Sequence, residues 1–342
     1  MTLSSLTEAF AFPVLLADIG GTNARFALLE DRQGELIHLP PVRTGDFADI
    51  ESAMTAAVTE KTETRPRSAI LALAGPLNGD EVDLTNADWV VRPRAVMAAS
   101  GITDIALLND FEAQALAVAA LEETEMTSLA IGADLEAGHD HRVVLGPGTG
   151  LGVAGLLQLG GLWVPVPGEG GHVALGPETR AEFALWPHIE RETERISAEF
   201  LLAGRGIVRL YRAMCAEHGA RPVHVWPKEV TGAALAGTDA IAEETMRLYC
   251  GLLGRLAGDF ALLFMARGGV FLGGGIAPKI AALLKAGTFR AAFEAKAPHE
   301  ALMRTIATRL VTAPRPALTG LAAFARAPER FGVALERRRW RA

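Results

Sequence analysis

The sequence predicts an α/β protein. Three observations carry that reading: short apolar runs recur along the chain, stretches with helical spacing separate them, and glycine clusters stand where the runs end. Val14-Leu15-Leu16-Ala17 ends at Asp18-Ile19-Gly20-Gly21-Thr22-Asn23, and Ala24–Leu29 follows with partial alternation. Two strands around a Gly-Gly turn are predicted there. Further strands are predicted at Ser68–Ala74, Ile105–Leu108 and Arg142–Leu145. Apolar residues at helical spacing run through Asp110–Leu121, Ser197–Met214 and Ala242–Phe264.

The first strand pair has an echo. Val143-Val144-Leu145 leads through Gly146-Pro147-Gly148-Thr149-Gly150-Leu151-Gly152 into Val153–Leu157. Gly21-Thr22 and Gly148-Thr149 thus hold comparable places between two apolar runs, which predicts two similar halves. A third cluster, Gly273-Gly274-Gly275, follows the run Val270-Phe271-Leu272.

A chain of 342 residues, half of them hydrophobic and 21% charged, has ample material for two packed domains. The formal charge of −7 speaks against a nucleic-acid surface, which is normally basic. Two cysteines, Cys215 and Cys250, are too few for a disulfide framework or a cysteine-rich zinc site. No Lys or Arg precedes Arg25, so a secretory signal lacks its positive region, and Asp18 halts the apolar stretch Phe10–Ala17 too early to span a bilayer. A cytoplasmic protein without membrane or nucleic-acid partners is expected.

The glycine turns are the first chemical signal. Glycine permits positive φ and close approach to a ligand, and successive N–H groups with a Thr hydroxyl can cradle phosphate. Asp18, just before the first turn, is placed to hold Mg²⁺ through water. One such hairpin read alone is only a turn; two matching ones with a preceding aspartate and a later triple glycine point to a nucleotide. No G-x-x-x-x-G-K-[ST] motif occurs, and Gly146–Gly152 misses the dinucleotide spacing.

Leu107-Leu108-Asn109-Asp110-Phe111 reads as a strand end followed by a helix start. Asn109 or Asp110 can be simply an N-cap; equally, Asp110 can accept the proton of an attacking hydroxyl. A helix N-terminus favours the anionic carboxylate and weakens it as a base, which a loose phosphoryl-transfer transition state tolerates. Pro167-Gly168-Glu169-Gly170-Gly171-His172 sets a carboxylate and an imidazole on a loop, suited to hydroxyl recognition rather than to a helical metal pair. Glu199 falls near a helix start and Asn86 in a turn; neither position by itself needs a function. Trp89 and both cysteines read as packing residues.

Taken together, these segments closely resemble the bacterial glucokinase family, the group distinct from the repressor/ORF/kinase sugar kinases. The stretches that carry the resemblance are Asp18–Arg25, Thr85–Trp89, Asn109–Phe111, Gly146–Gly152, Pro167–Val173, Ser197–Glu199 and Gly273–Pro278, with Phe289–Phe293 extending it. The resemblance implies an actin-like ATPase (ribonuclease H-like) fold with two domains flanking a deep cleft. A small α/β domain would cover residues 1–120, completed by 313–342 with a helix around Leu318–Arg326; a large α/β domain would cover 121–312. It implies transfer from MgATP to glucose, with Asp110 as the base. Asn86, Asn109, Asp110, Glu169, His172 and Glu199 would contact the sugar. Asp18, Gly20, Gly21, Thr22, Asn23, Gly148 and Thr149 would surround the phosphates, and Gly274 and Gly275 the adenosine. A homodimer with a glycolytic role is implied as well.

Rival readings are a phosphotransferase acting on a small acid or polyphosphate, a sugar-responsive regulator, and a chaperone-like ATPase. Glu169, His172 and Glu199 suit a polyol better than an anion, and the first strand starts too early to leave room for a DNA-binding helix-turn-helix. The basic end, Arg337–Arg341, is expected to be a solvated or interface tail.

Overall fold

The computed structural model describes residues 8–75, 77, 79–85, 87–129 and 140–342. Two compact units make up the chain: residues 1–121, 156–167 and 313–342 form the first, residues 122–155 and 168–312 the second.

In the first unit lie β1 (Val14–Ile19), β2 (Asn23–Leu29), β3 (Ile37–His38), β4 (Val42–Arg43), β5 (Ser68–Leu73), the small pair β6 (Val82–Asp83) and β7 (Val90–Val91), and β8 (Asp104–Asn109). Among the described residues its main sheet has seven strands: a C-terminal strand (Arg339–Arg341), then β8, β5, β1, β2 and β3, with β4 also on β2. β1, β5 and β8 are parallel. All six residues of β5 are buried, as a parallel strand covered on both faces requires. Register sets Ile19 opposite Leu73 and Leu73 opposite Asn109. The carboxyl ends of three neighbouring strands therefore finish together, the edge at which α/β sheets take ligands.

The helix Asp110–Val118 leaves β8 without a loop and stops three residues short of the predicted Leu121. It packs on the helix Pro316–Arg326 so closely that a Cβ on Gly320 would stand 2.2 Å from the Ala113 carbonyl oxygen. Trp89 is in the core, as its sequence context predicts.

The basic C-terminus is not a solvated tail. Arg339–Arg341 pairs antiparallel with β8, and the strand's alternation buries Trp340 while its flanking arginines find carboxylates. Arg339 binds Asp104 with a shortest N···O distance of 2.6 Å and lies over the Phe10 ring, and the Trp340 indole donates to Asp80. Phe10, from the residues ahead of β1, meets Phe324 edge-on at 5.6 Å. Both chain ends thus finish the same core.

The second unit holds β9 (Met126–Ser128), β10 (Arg142–Pro147), the first half of β11 (Leu151–Leu159), β13 (Val270–Leu272) and β14 (Thr308–Val311), and its sheet runs on through the rest of β11 and through β12 (Leu162–Gly168), whose residues 156–167 group with the first unit. Its sheet order is β12, β11, β10, β13, β14, β9, with β10, β13 and β14 parallel and β9 antiparallel. The first sheet shows the same order, β3, β2, β1, β5, β8, closed by an antiparallel edge strand. The echo between the two glycine hairpins is thus an echo between whole sheets.

The 24-residue helix Ala240–Leu263 anchors this unit's core. Asp239 caps it by accepting from the N–H groups of Ile241 and Ala242. A Cβ on Gly254 would come 2.1 Å from the Phe289 carbonyl oxygen, on the neighbouring helix Thr288–Glu294. The predicted helix Ser197–Met214 is two helices, Ala198–Leu202 and Gly204–Glu217. Ala203 is extended, and a Cβ on Gly206 would sit 2.2 Å from the Leu201 carbonyl oxygen. Cys215 and Cys250 are buried, and burial pushes both thiols up, Cys250 to about 12, which leaves them unreactive packing groups. Among the described residues no helix is long and apolar enough to cross a membrane.

Candidate active site

In the first unit, β1 delivers Asp18, the turn that follows delivers Gly20, Gly21 and Thr22, and the junction of β8 with the next helix delivers Asn109 and Asp110. The N–H of Gly20 closes the turn onto the Asn23 carbonyl at 3.0 Å. Thr44, nearly fully buried, supports it from β4's side: its hydroxyl donates to the Gly21 carbonyl at 2.8 Å and its N–H to that of Thr22. Thr22 stays exposed at the tip. Positive φ is not what selects these glycines, since Gly20, Gly21 and Gly148 all lie outside the left-handed region. A Cβ on Gly20 would meet only the Asn23 carbonyl oxygen, at 3.8 Å, so the residue keeps space open instead.

Asp18 meets Arg25 at 3.1 Å across the hairpin. Burial pushes its carboxyl above the usual value, and the guanidinium offsets only part of that. Such a carboxylate fits a magnesium ion, a hard cation that prefers oxygen donors and keeps much of its water. Among the described residues no cluster of three acidic, His or Cys side chains could hold a metal. Phosphate oxygens and water would therefore supply the rest of the coordination shell.

Asn109 caps the helix: its side-chain oxygen accepts from Phe111 N–H at 2.9 Å, and Glu112 returns a bond from the Asn109 N–H. Its amide nitrogen donates to the Gly75 carbonyl at 3.4 Å. Asp110 occupies the first helical position, half-buried, with one oxygen accepting from Phe111 N–H at 2.9 Å. Capping and site geometry are thus one arrangement.

In the second unit the glycines converge. The N–H of Gly148 closes its turn onto Gly150 at 2.8 Å, and the Gly148 carbonyl accepts from Gly204 at 2.9 Å. The Ile276 N–H donates to Pro147. Gly274 has φ +76°, and a Cβ there would lie 2.6 Å from the Pro147 carbonyl oxygen, so this place admits only glycine. Gly275 lies beside Gly148. A cavity of about 510 Å³ opens next to Gly204 and Ile276, walled by Trp226, Lys228 and Lys279.

Glu199, in the first turn of its helix, accepts from Leu151 N–H at 2.8 Å. A Cβ on Gly150 would come 2.6 Å from this carboxylate. Glu169 precedes and His172 ends a single 3-10 turn, Gly170–His172, with the ring nitrogen 3.8 Å from the carboxylate and both side chains exposed. Asn86 lies outside the described residues.

The structure thus gathers Asp18, Gly20, Gly21, Thr22, Asn23, Asn109 and Asp110 at one sheet edge. Gly148, Thr149, Gly274 and Gly275 gather at the corresponding edge of the other unit. Sequence reasoning missed Gly75, although Leu73-Ala74-Gly75 is a run ending in glycine like the others. It also missed Gly204, where a glycine inside a helical pattern was the available signal. No local pattern marked Thr44.

A glucokinase family model matches residues 15–328 of the chain. The chain belongs to the glucokinase family. It is 57% identical to a glucokinase of Sinorhizobium medicae over 334 residues, 98% of either chain. A Brucella suis glucokinase is 53% identical over 98% of this chain and 97% of its own. Among solved structures, glucokinase from an Antarctic psychrotroph superposes with a TM-score of 0.80 at 31% identity, covering 91% of this chain and 98% of its own. A glucokinase of Streptomyces griseus, solved with glucose and AMPPNP, shares the fold at TM-score 0.61 and 21% identity, over 92% and 99% of the two chains.

Proposed function

We propose that this glucokinase-family chain transfers the γ-phosphoryl group of ATP to the 6-hydroxyl of glucose, giving glucose 6-phosphate and ADP. The sugar oxygen bonds to the γ-phosphorus, the bond to the β–γ bridging oxygen breaks, and the hydroxyl proton passes to Asp110. One observation carries the reading: β1, β5 and β8 end in register, so that the turn Gly20–Thr22 and the pair Asn109–Asp110 share one sheet edge.

Asn109, Glu169, His172 and Glu199, with Asn86, are read as the sugar's hydrogen-bonding partners. Ionised carboxylates accept from hydroxyls, and the imidazole can accept or donate. The two glycine-threonine turns are read as the phosphate cradle, and the cavity beside Ile276 suits adenosine in size and lining. Asp18 would hold Mg²⁺, which when bound neutralises charge on the phosphate oxygens. The finer fold, actin-like with two similar halves, is supported by the repeated strand order of the two sheets. A homodimer and a cytoplasmic place at the entry to glycolysis rest on the family alone, and sedimentation of the purified chain reads the first.

The test is a coupled assay with MgATP across glucose, mannose, galactose, fructose and acetate. Glucose should give ADP with a turnover of roughly 1–10³ s⁻¹, and acetate none. Turnover on the acid with no hexose accepted would move the chain to another phosphotransferase class.

A further inference from the structure

We propose that Arg338 is a positioning residue for the strand-to-helix junction that presents Asn109 and Asp110. The inference rests on those two residues serving as sugar contact and base.

Arg338 grips the junction at both ends. Its backbone carbonyl accepts the N–H of Leu107, two residues before Asn109 in β8, at 2.8 Å. Its guanidinium meets both oxygens of Glu112, two residues after Asp110, at 2.7 and 3.2 Å. Glu112 in turn accepts the Asn109 N–H at 3.2 Å, and Asn109 accepts the Phe111 N–H. Asp110 therefore sits in a short arch whose two feet are held by one residue from the far end of the chain.

The chemistry of the pair is specific. A Glu at this helix position needs only a backbone N–H to complete a capping box, and Glu is almost never fully buried unless paired. Here the side chain is 2% exposed, and a planar fork is the donor set that satisfies both its oxygens at once. The fork is itself aimed, because its Nε donates to the Ala334 carbonyl at 2.7 Å, and a second nitrogen also reaches that carbonyl. Among the described residues none of these bonds reaches the turn Gly20–Thr22. The device bears on the acceptor side of the reaction.

Arg338→Gln should therefore lower kcat by about tenfold or more, since small misplacements of a reacting group cost this much. The KM for ATP should stay within about twofold. Arg338→Lys, which keeps the charge with one bond, should restore most of the lost rate. Because an unpaired buried Glu112 can unfold the chain, the double variant Arg338→Met/Glu112→Gln removes the charge as well and keeps the cap acceptor. It should melt near the parent and still turn over slowly. A folded double variant with parental kcat would overturn the proposal. So would a loss shared equally by kcat and the KM for ATP, the mark of general loosening. Asp110→Ala in the same series separates the two readings. If it stays active while Arg338→Gln is slow, the base assignment fails and the positioning of Asn109 stands; the reverse pattern removes Arg338 alone.

Discussion

Asp18 carries two opposing demands. Its proposed role before the turn Gly20–Thr22 needs an ionised carboxylate, yet burial disfavours that form, and Arg25 at 3.1 Å does not fully offset the cost. A carboxyl whose folded pKa lies above its unfolded value binds the extra proton in the folded state within that window. Stability then falls as pH rises through the window, and above it the charge is a standing penalty. Asp18→Asn should accordingly melt at or above the parent temperature at pH 7 without nucleotide. Calorimetry should show that difference shrinking as pH is lowered toward the ordinary carboxylate range. The same variant should lose about 10²-fold or more in turnover with MgATP. A variant both less stable and fully active would contradict this account of Asp18. The sequence displayed Asp18 and its turn plainly, because a charged residue ending an apolar run has few structural reasons to be there. Thr44 was invisible, since a threonine that props a turn twenty-odd residues away leaves no local pattern.

Among the elements, helix packing makes the sharpest demands. Gly320 allows the helix Pro316–Arg326 to lie directly on the helix that begins at Asp110. Gly320→Ala would place a methyl 2.2 Å from the Ala113 carbonyl oxygen and should cost about 1–3 kcal/mol, read as a lower denaturant midpoint. Asp239 supports the long helix Ala240–Leu263 from its N-terminus. Burial raises its carboxyl, but the Tyr211 hydroxyl and the N–H groups of Ala242 and Ile241 outweigh that, so its pKa is lowered. A lowered carboxylate contributes stability that is present above the unfolded pKa and lost as pH falls through the folded one. Asp239→Ala should thus cost about 1 kcal/mol at neutral pH, and the gap should close in acid.

The central strands β1, β5, β8 and β10 were legible because each is one apolar run ended by Gly, Asp or Asn; short strands such as β3, β4, β6, β7, β9 and β14 carry too few residues for a pattern. The helix Ser197–Met214 was overread because apolar spacing continues through Leu201-Leu202-Ala203 into the next helix, and only the glycines mark the break. The C-terminal strand was missed because four of its five candidate residues are arginine. Its single apolar member, Trp340, sits at the alternation that a half-buried edge strand requires.

Across the whole molecule, two sheets of the same strand order each end in a glycine-threonine turn, and each unit has its own core. That duplication was legible as an echo between Val14–Leu29 and Val143–Leu157. The closure of the first core by both chain ends was not, since it joins residues more than three hundred positions apart, as in Arg339 donating to the Glu8 carbonyl. The proposal gives Asp110 the role of proton acceptor, so the most direct measurement compares turnover and glucose binding in Asp110→Ala and the parent at saturating MgATP. The account predicts a kcat lower by about 10³-fold, with glucose affinity changed by about tenfold at most. Near-parental turnover in that variant would contradict it.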